Sequence, residues 1–383
     1  MSLLPDTPWL NALIGLLQAA QLGLLRLLAW LGLAATSHGQ PAWPWALRLS
    51  GENLLIDLGQ ARRAALTLGV LCAALIVLLL ALLWRRRRLL LIACVPLLLA
   101  LAPWPDAQVL LVPAHPTSFH HSPSGFTAAS IARGQALYAS HCVSCHGADG
   151  RGRGPLAAAQ AVWPPSFGGP LLWNRADGDL LWRVLHGMQN RRGMPTMPAF
   201  RDRLDERDAW ALIDFMKALG AGQSLLATGL WARPIGLPDV TVRCEDRPPR
   251  GLASWRGQRL RIVAAGATAA PLEDPRLVTV RLRPPGETPG SPPAGCTADA
   301  EAWQAFALIA GTEQLAGVQL LADREGWLRA RNAPGQAGWS EEDLLCRAEA
   351  SPGKPAAAVD GLSALIARMD AEPVRFVKGG FVH

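Results

Sequence analysis

The sharpest chemical signal in the chain is Cys142-Val143-Ser144-Cys145-His146, two thiols separated by two residues with an imidazole directly behind. Thiols at this spacing add across the two vinyl groups of a haem, and the following histidine is placed to ligate the iron from the proximal side. A zinc half-site would need a second ligand pair, and no Cys/His pair follows. A redox Cys-x-x-Cys would open a helix after a strand, whereas here a helical pattern precedes it. The motif points to one covalent haem c. The opposite ligand falls to a thioether, with three candidates. Met197, in Met197-Pro198-Ala199-Phe200, is the first choice, Met194 is also followed by proline, and Met188 is the third. His146 and Met197 are thus the expected iron ligands, a pair that raises the potential and suits an electron carrier.

These residues need elements to hold them. Thr127 to Ser140 reads as a helix that brings in Cys142, with Gly134 and Tyr138 on one face. Leu204 to Leu219 reads as a second helix with Trp210, Ile213 and Phe215 toward the first. The glycine lets the two cross closely. The run Gly147 to Pro155 is rich in glycine and is expected to pass close to the haem edge. The Pro155 carbonyl is the expected acceptor for Nδ1–H of His146, fixing the ring. Arg151, Arg153, Trp163 and Trp173 are candidates for the haem propionates, and each reads equally well as a solvated loop residue. Arg191-Arg192-Gly193 adds charge beside the ligand methionine. His141 reads as exposed and His186 as structural. His120-His121 is a candidate copper pair with no further ligand in sequence.

Gly134-x-x-x-Tyr138, Cys142 to His146 and Met197-Pro198-Ala199-Phe200 together resemble a class I cytochrome c domain over roughly residues 125–220. Pro116-Thr117-Ser118-Phe119, Ser122-Pro123 and Ala129 to Gly134 narrow the likeness. They resemble the cytochrome domain fused to copper-resistance D-type membrane proteins, as Trp43 to Gly51 does more weakly. Two departures stand out. The membrane part is short for that family, and Arg153 stands where an acidic residue is expected. A copper role is implied by the resemblance alone.

The chain has 383 residues, half of them apolar and 17% charged, with a mean hydropathy of +0.17. Such a composition excludes a disordered or fibrous chain and implies that some apolar surface meets lipid. The net charge of +7 rests on arginine, since Lys217, Lys354 and Lys378 are the only lysines. No basic stretch interleaved with aromatics appears, so a nucleic-acid partner is not expected. Three apolar runs precede residue 113. Trp9 to Ala35 carries a polar seam of Asn11, Gln18 and Gln21, so it either spans or lies in the interface. Ala64 to Trp84 is long and clean enough to span. Leu89 to about Leu101 is short, extending at most toward Val112. Arg85 to Arg88 between the last two runs marks the cytoplasmic side. The reading is a membrane anchor of about three transmembrane helices in a bacterial inner membrane, which delivers the rest of the chain to the periplasm.

After Gly222 the pattern changes to strand-like pieces between Pro/Gly loops: Leu237 to Cys244, Arg259 to Ala265, Leu277 to Leu282, Val318 to Ala322 and Gly326 to Arg331, with a helical Ala302 to Ala310. Leu252 to Gly257 and Leu321 to Ala330 resemble the peroxiredoxin/copper-chaperone branch of thioredoxin folds. The resemblance implies an α/β domain, but no cysteine follows the Arg259 to Ala265 strand, where Ala265 to Ala270 stands. The domain is read as degenerate, a binding or docking module. Cys244, Cys296 and Cys346 are isolated in sequence; an oxidising periplasm would allow two of them to pair and leave one free.

The whole is expected to be multidomain: 1–112 a transmembrane α-helical anchor, 113–222 an all-α class I cytochrome c domain with one haem, and 223–383 a thioredoxin-like α/β domain without Cys-x-x-Cys. The expected role is single-electron transfer between redox partner proteins, as a carrier or as a subunit of a respiratory or copper-linked redox system rather than a stand-alone enzyme. The alternative is copper handling or cofactor assembly, with His38, His115, His120 and His121 as the only ligands near the membrane exit. A redox sensor ranks last.

Overall fold

The computed structural model describes residues 8–375, apart from 56, 191, 246, 267–272, 288–294, 299, 333, 335, 337, 341–342 and 347–360. The expected Arg191, most of the Ala265 to Ala270 run and part of the loop before Cys296 therefore lie outside the described residues. The chain divides after Phe119 into two compact units.

The first unit begins with α1 (Pro8–Trp30), the short strands β1 (Thr36–Ser37) and β2 (Gln40–Pro41), and β3 (Leu47–Leu49). Then follow α2 (Leu58–Leu83), α3 (Arg88–Leu101), α4 (Ala107–Leu110) and β4 (Leu111–Pro113), which pairs with β3 antiparallel. Asp57 caps α2, accepting from the Gly59 and Gln60 amides. Helices α1 and α2 are long and apolar enough to cross a membrane, by length and composition. Helix α3 is not. Its 14 residues cover about 21 Å against a hydrocarbon thickness of about 30 Å. Ala102 is extended and ends it. The five residues from Ala102 to Asp106 add about 16 Å if extended, which brings the return to within a few ångströms of the length of α2. Hydrogen bonds mark the path: Thr67 Oγ1 donates to the Pro103 carbonyl (3.0 Å), and the Asp106 amide donates to Gln60 in the first turn of α2 (2.9 Å). The expected three helices are thus two helices and a hybrid. The unit also extends past the expected boundary at 112, because Ala114 and Trp43 amides bond the Ala46 and Pro116 carbonyls and Trp43 packs on Phe119.

The second unit opens with α5 (Ala128–His141) and the single turn α6 (Val143–His146). Helices α7 (Pro170–Asn174) and α8 (Asp177–His186) follow, then the hairpin β5 (Met188–Gln189) and β6 (Pro195–Met197), and the long α9 (Glu206–Thr228). A sheet comes next: β7 (Thr241–Cys244), β8 (Arg247–Gly251), β9 (Leu260–Ala264), β10 (Val278–Leu282) and β11 (Cys296–Ala298). Helix α10 (Glu301–Ile309), β12 (Gln319–Ala322), β13 (Leu328–Asn332) and α11 (Gly361–Ala371) complete it. The sheet order is β13-β12-β9-β10-β11-β7-β8. Strands β9, β10 and β11 run parallel, while β12 and β7 flank them antiparallel. Asp323 to Trp327 turns the β12–β13 hairpin, with Gly326 at φ +87°.

The expected break at Gly222 is not a break. Helix α9 runs through it to Thr228 and stops at left-handed Gly229. Gly222 is a crossing point, where a β-carbon would stand 1.9 Å from the Leu308 carbonyl oxygen. One apolar core extends from the α5–α9 pair through α10 into the sheet. Cys244 and Cys296 face each other on β7 and β11 and form a disulfide, leaving Cys346 buried as a thiol.

Candidate haem-binding site

Helix α5 starts at Thr127, whose hydroxyl caps the Ser130 amide. It crosses α9 at Gly134, where a β-carbon would stand 2.0 Å from the Ala211 carbonyl oxygen, so no other residue fits. One turn on, the buried Tyr138 ring lies against Phe215 and Phe167, and its hydroxyl donates to the Gly147 carbonyl (2.6 Å). This closes the α6 turn that carries the two thiols and the imidazole.

Cys142, Cys145 and His146 line one side of a cavity of about 340 Å³. Met197 and Met188 line the same cavity and face each other across the β5–β6 hairpin. Directly opposed side chains share one face of a hairpin. Met194 sits at the exposed turn, outside the lining. Of the candidate thioethers, the structure therefore brings Met197 and Met188 to the cavity and leaves Met194 out. The walls between are apolar: Phe167, Leu172, Leu180, Val184, Phe200, Leu212 and Met216.

The His146 ring stacks on Phe167, with centroids 5.0 Å apart. Burial holds its pKa below the ordinary imidazole range. The Pro165 carbonyl pulls the other way, short of a well-aligned bond, since Nδ1 is buried without a partner. A ring kept neutral is the form that ligates a metal. Pro155, the expected acceptor, is exposed and outside the lining. The loop from Gly147 to Leu156 folds back on the attachment turn instead of lying along the cavity. The Gly152, Gly154 and Leu156 amides bond the His146, Cys145 and Ser144 carbonyls at 2.8, 3.1 and 2.8 Å. A β-carbon on Gly154 would stand 2.4 Å from the Ser144 carbonyl oxygen. Gly152 and Gly154 serve close approach to backbone. Burial, then the neighbouring Cys145, pushes the Cys142 thiol up to about 12, the opposite of the depressed pKa of an exchanging redox thiol.

Arg175 and Arg183 also line the cavity, and among the described residues no carboxylate does. Sequence reasoning missed both. The only available signal was the amphipathic pattern of α8, which turns Leu180, Arg183 and Val184 to one side. Of the four residues proposed for propionates, Trp163 lines the cavity, Trp173 is buried elsewhere, and Arg151 and Arg153 are exposed, with Arg151 beside Asp149. His141, expected exposed, is half-buried at the cavity and near Phe200. His186 stacks on Trp182 at 3.6 Å, as a structural residue would. His120 is buried while His121 is exposed. Among the described residues, no three His, Cys, Asp or Glu side chains come together to hold a metal ion.

Two thiols, a neutral imidazole and thioethers around an apolar cavity with two cations fit a covalently attached haem and its two carboxylates. Cys142 and Cys145 would take the thioether links, His146 and Met197 the iron, and Arg175 and Arg183 the propionates.

Residues 129–216 match the family described as cytochrome C oxidase, cbb3-type, subunit III. The chain thus carries a c-type cytochrome domain, a module of haem-based electron transfer. No curated protein matches the chain. Among solved structures, it is similar to a chain of a Kuenenia stuttgartiensis reducing HAO-like protein complex, at 22% identity and a TM-score of 0.23. The match covers 33% of this chain and 59% of that one, so this chain spans less than two thirds of that relative.

Proposed function

We propose that this chain is a membrane-anchored cytochrome that passes single electrons between redox partner proteins through one haem held by His146 and Met197 on the periplasmic side. The carrying observation is that one cavity gathers both thiols, His146 and Met197 between apolar walls. When bound, the haem supplies a one-electron iron couple. The protein supplies the setting. Stacking on Phe167 fixes the His146 plane, the hairpin brings the Met197 thioether to the same cavity, and the aromatic and aliphatic walls would exclude water. Arg175 and Arg183 balance the carboxylates.

Membrane anchoring rests on α2 and its return. The basic Arg85 to Arg88 block and exposed Trp84 mark one end, and exposed Arg62, Arg63 and Trp104 the other. The 21 residues from Ala64 to Trp84 rise about 31 Å, the thickness of a bilayer core. The Cys244–Cys296 disulfide supports an oxidising compartment for the second unit. For the C-terminal part, β13-β12-β9-β10 pairs a parallel β9–β10 with an antiparallel hairpin. That arrangement supports the thioredoxin-like reading, as a docking module without exchange chemistry. The copper-handling alternative has no ligand cluster among the described residues to favour it.

The test is oxidised and reduced visible spectra with a redox titration of the wild type, Met197→Ala, Met188→Ala and Met194→Ala. A low-spin c-type spectrum lost with Met197 and kept with Met194 supports the reading. A high-spin wild type, or indifference to Met197→Ala, would overturn it.

A further inference from the structure

The polar seam of α1 has a structural use that decides how the helix meets the bilayer. Gln21 is buried near the middle of α1 and its amide grips β3: the Leu49 amide donates to Oε1 (2.7 Å) and Nε2 donates to the Leu49 carbonyl (3.0 Å). Gly51, just past β3, lies so close to Ile14 that a β-carbon there would stand 2.5 Å from it. Strand β3 pairs with β4 in a two-stranded sheet, and its outer edge is taken by side chains: Gln21 on Leu49, and Trp43 Nε1 donating to the Leu47 carbonyl (2.9 Å). Its level is set by the chain. Strand β4 follows the α3 return after the single turn α4, and the Asp106–Gln60 bond marks where that return reaches the first turn of α2. The sheet therefore lies just beyond the open end of the α2–α3 hairpin. Among the described residues, α1 shares a buried core with α2 at its start, through Leu10, Leu13 and Ile14 with Ala61 and Ala64.

A spanning α1 would carry Gln21, near its middle, and the sheet bonded to it to the depth of the bilayer core, whereas the sheet is held beyond the open end of the α2–α3 hairpin. A helix standing out into water would expose an apolar stripe along its whole length. Trp9, Leu16, Leu24 and Leu27 recur on one side at helical spacing and are all exposed. Neither is tenable. We infer that α1 lies in the plane of the membrane surface on the side of β3 and β4, its exposed stripe in the acyl chains and its Gln21 side under the small sheet. The inference rests on the anchoring reading above. The occupant of the stripe is lipid because α1 shares a core with α2 at its start, and α2 exposes its own apolar side chains Leu66, Leu75 and Leu82, so both helices meet the same medium. Exposed Arg26, the helix's single charge, reaches the headgroups along its stem. The loop Arg85 to Arg88 and α1 are then on opposite faces.

The full-length holoprotein, in vesicles of phosphatidylcholine and phosphatidylglycerol, carries spin labels one at a time at Leu16→Cys, Leu24→Cys and Leu27→Cys. Cys72→Ser and Cys94→Ser form the background. Depth is read from the ratio of oxygen to nickel-chelate accessibility. Labels at Leu66→Cys, Leu75→Cys and Leu82→Cys on α2 are the reference. We expect the α2 series to pass through the bilayer centre and the three α1 labels to share one shallow depth. A spanning α1 would separate Leu16 and Leu27 by about 16 Å in depth, and that spread overturns the inference while leaving the anchor intact. Low accessibility to both reagents along the stripe would mean a protein partner and overturns it as well. An α2 series without a depth gradient sinks the anchoring reading, and the inference with it.

Discussion

Replacing Gly222 by alanine reverses an ordinary expectation. In a helix interior, glycine to alanine gains about 1 kcal/mol from backbone entropy. At this position the new β-carbon would stand 1.9 Å from the Leu308 carbonyl oxygen and 3.1 Å from the Gly311 Cα. Both are backbone atoms and cannot rotate aside. Ordinary contact begins at 3.4 Å, so the end of α10 must retreat by about 1.5 Å in an interior packed like a crystal. Overpacking costs about 1–3 kcal/mol, and a rigid backbone clash belongs at the upper end. After the propensity gain, a net loss of about 1–2 kcal/mol remains. In a domain of this size each kcal/mol moves the melting temperature by about 2–4 °C, so Tm falls by about 2–8 °C. Thermal unfolding is followed by far-ultraviolet circular dichroism and by haem absorbance. Both transitions are expected to drop together, because α9 belongs to the cytochrome helices and to the core beneath the sheet. A rise in Tm would refute the close crossing. A fall in one signal alone would refute the shared core.

Asp214, buried on α9, accepts from Ser124 and Ser130 (2.5 and 2.6 Å). Burial lifts its pKa above the ordinary carboxylate range, only partly offset by those hydroxyls and Lys217. The native state therefore holds the proton more tightly than the unfolded one. The stability this contributes is full below the ordinary carboxylate pKa and is lost as pH rises through the raised native value. Tm against pH for Asp214→Asn should lack that decline, and parallel curves would sink the assignment. The fully buried Arg329 bonds Asp323 (3.3 Å) and the carbonyls of Met369, Cys346 and Glu372. Arg329→Ala leaves a carboxylate uncompensated at a cost of about 3–5 kcal/mol, read from the chaotrope midpoint; a shift worth under about 1 kcal/mol would contradict the role. The Cys244–Cys296 bridge closes a 52-residue separation, worth about 4 kcal/mol by chain entropy. Reductant should lower the Tm of the wild type and leave the paired Cys244→Ser/Cys296→Ser variant unmoved.

The attachment turn, α5 and the start of α9 were legible because each is written locally: ligand spacing in one, helical period and a small residue in the others. What the sequence hid was set by contact at a distance. Gly222 looked like a break because composition changes there, yet its missing side chain is what lets α10 cross. Pro155 looked like the imidazole's acceptor from its place in the glycine run. The backbone of that run is spent on the Ser144, Cys145 and His146 carbonyls, so the wall beside the ring is Val162 to Phe167 instead. Strand β8 was invisible because Arg-Pro-Pro-Arg forbids a central strand; it survives at the sheet edge, where a missing donor costs nothing.

The same contacts bear on what the C-terminal sheet does for the cytochrome. The haem-attachment helix is fixed at three points. Its first turn takes a backbone bond from the segment before β7, Ala128 amide to Asp239 carbonyl, and the Asp239 amide returns one to Phe126. Gly134 locks its middle onto α9, and Tyr138 ties its end to Gly147. Only the last two anchors belong to the cytochrome helices. The first, and the packing of α10 beneath α5 and α9, come from the sheet. The sheet thus helps to set the position of α5, and so the geometry of His146.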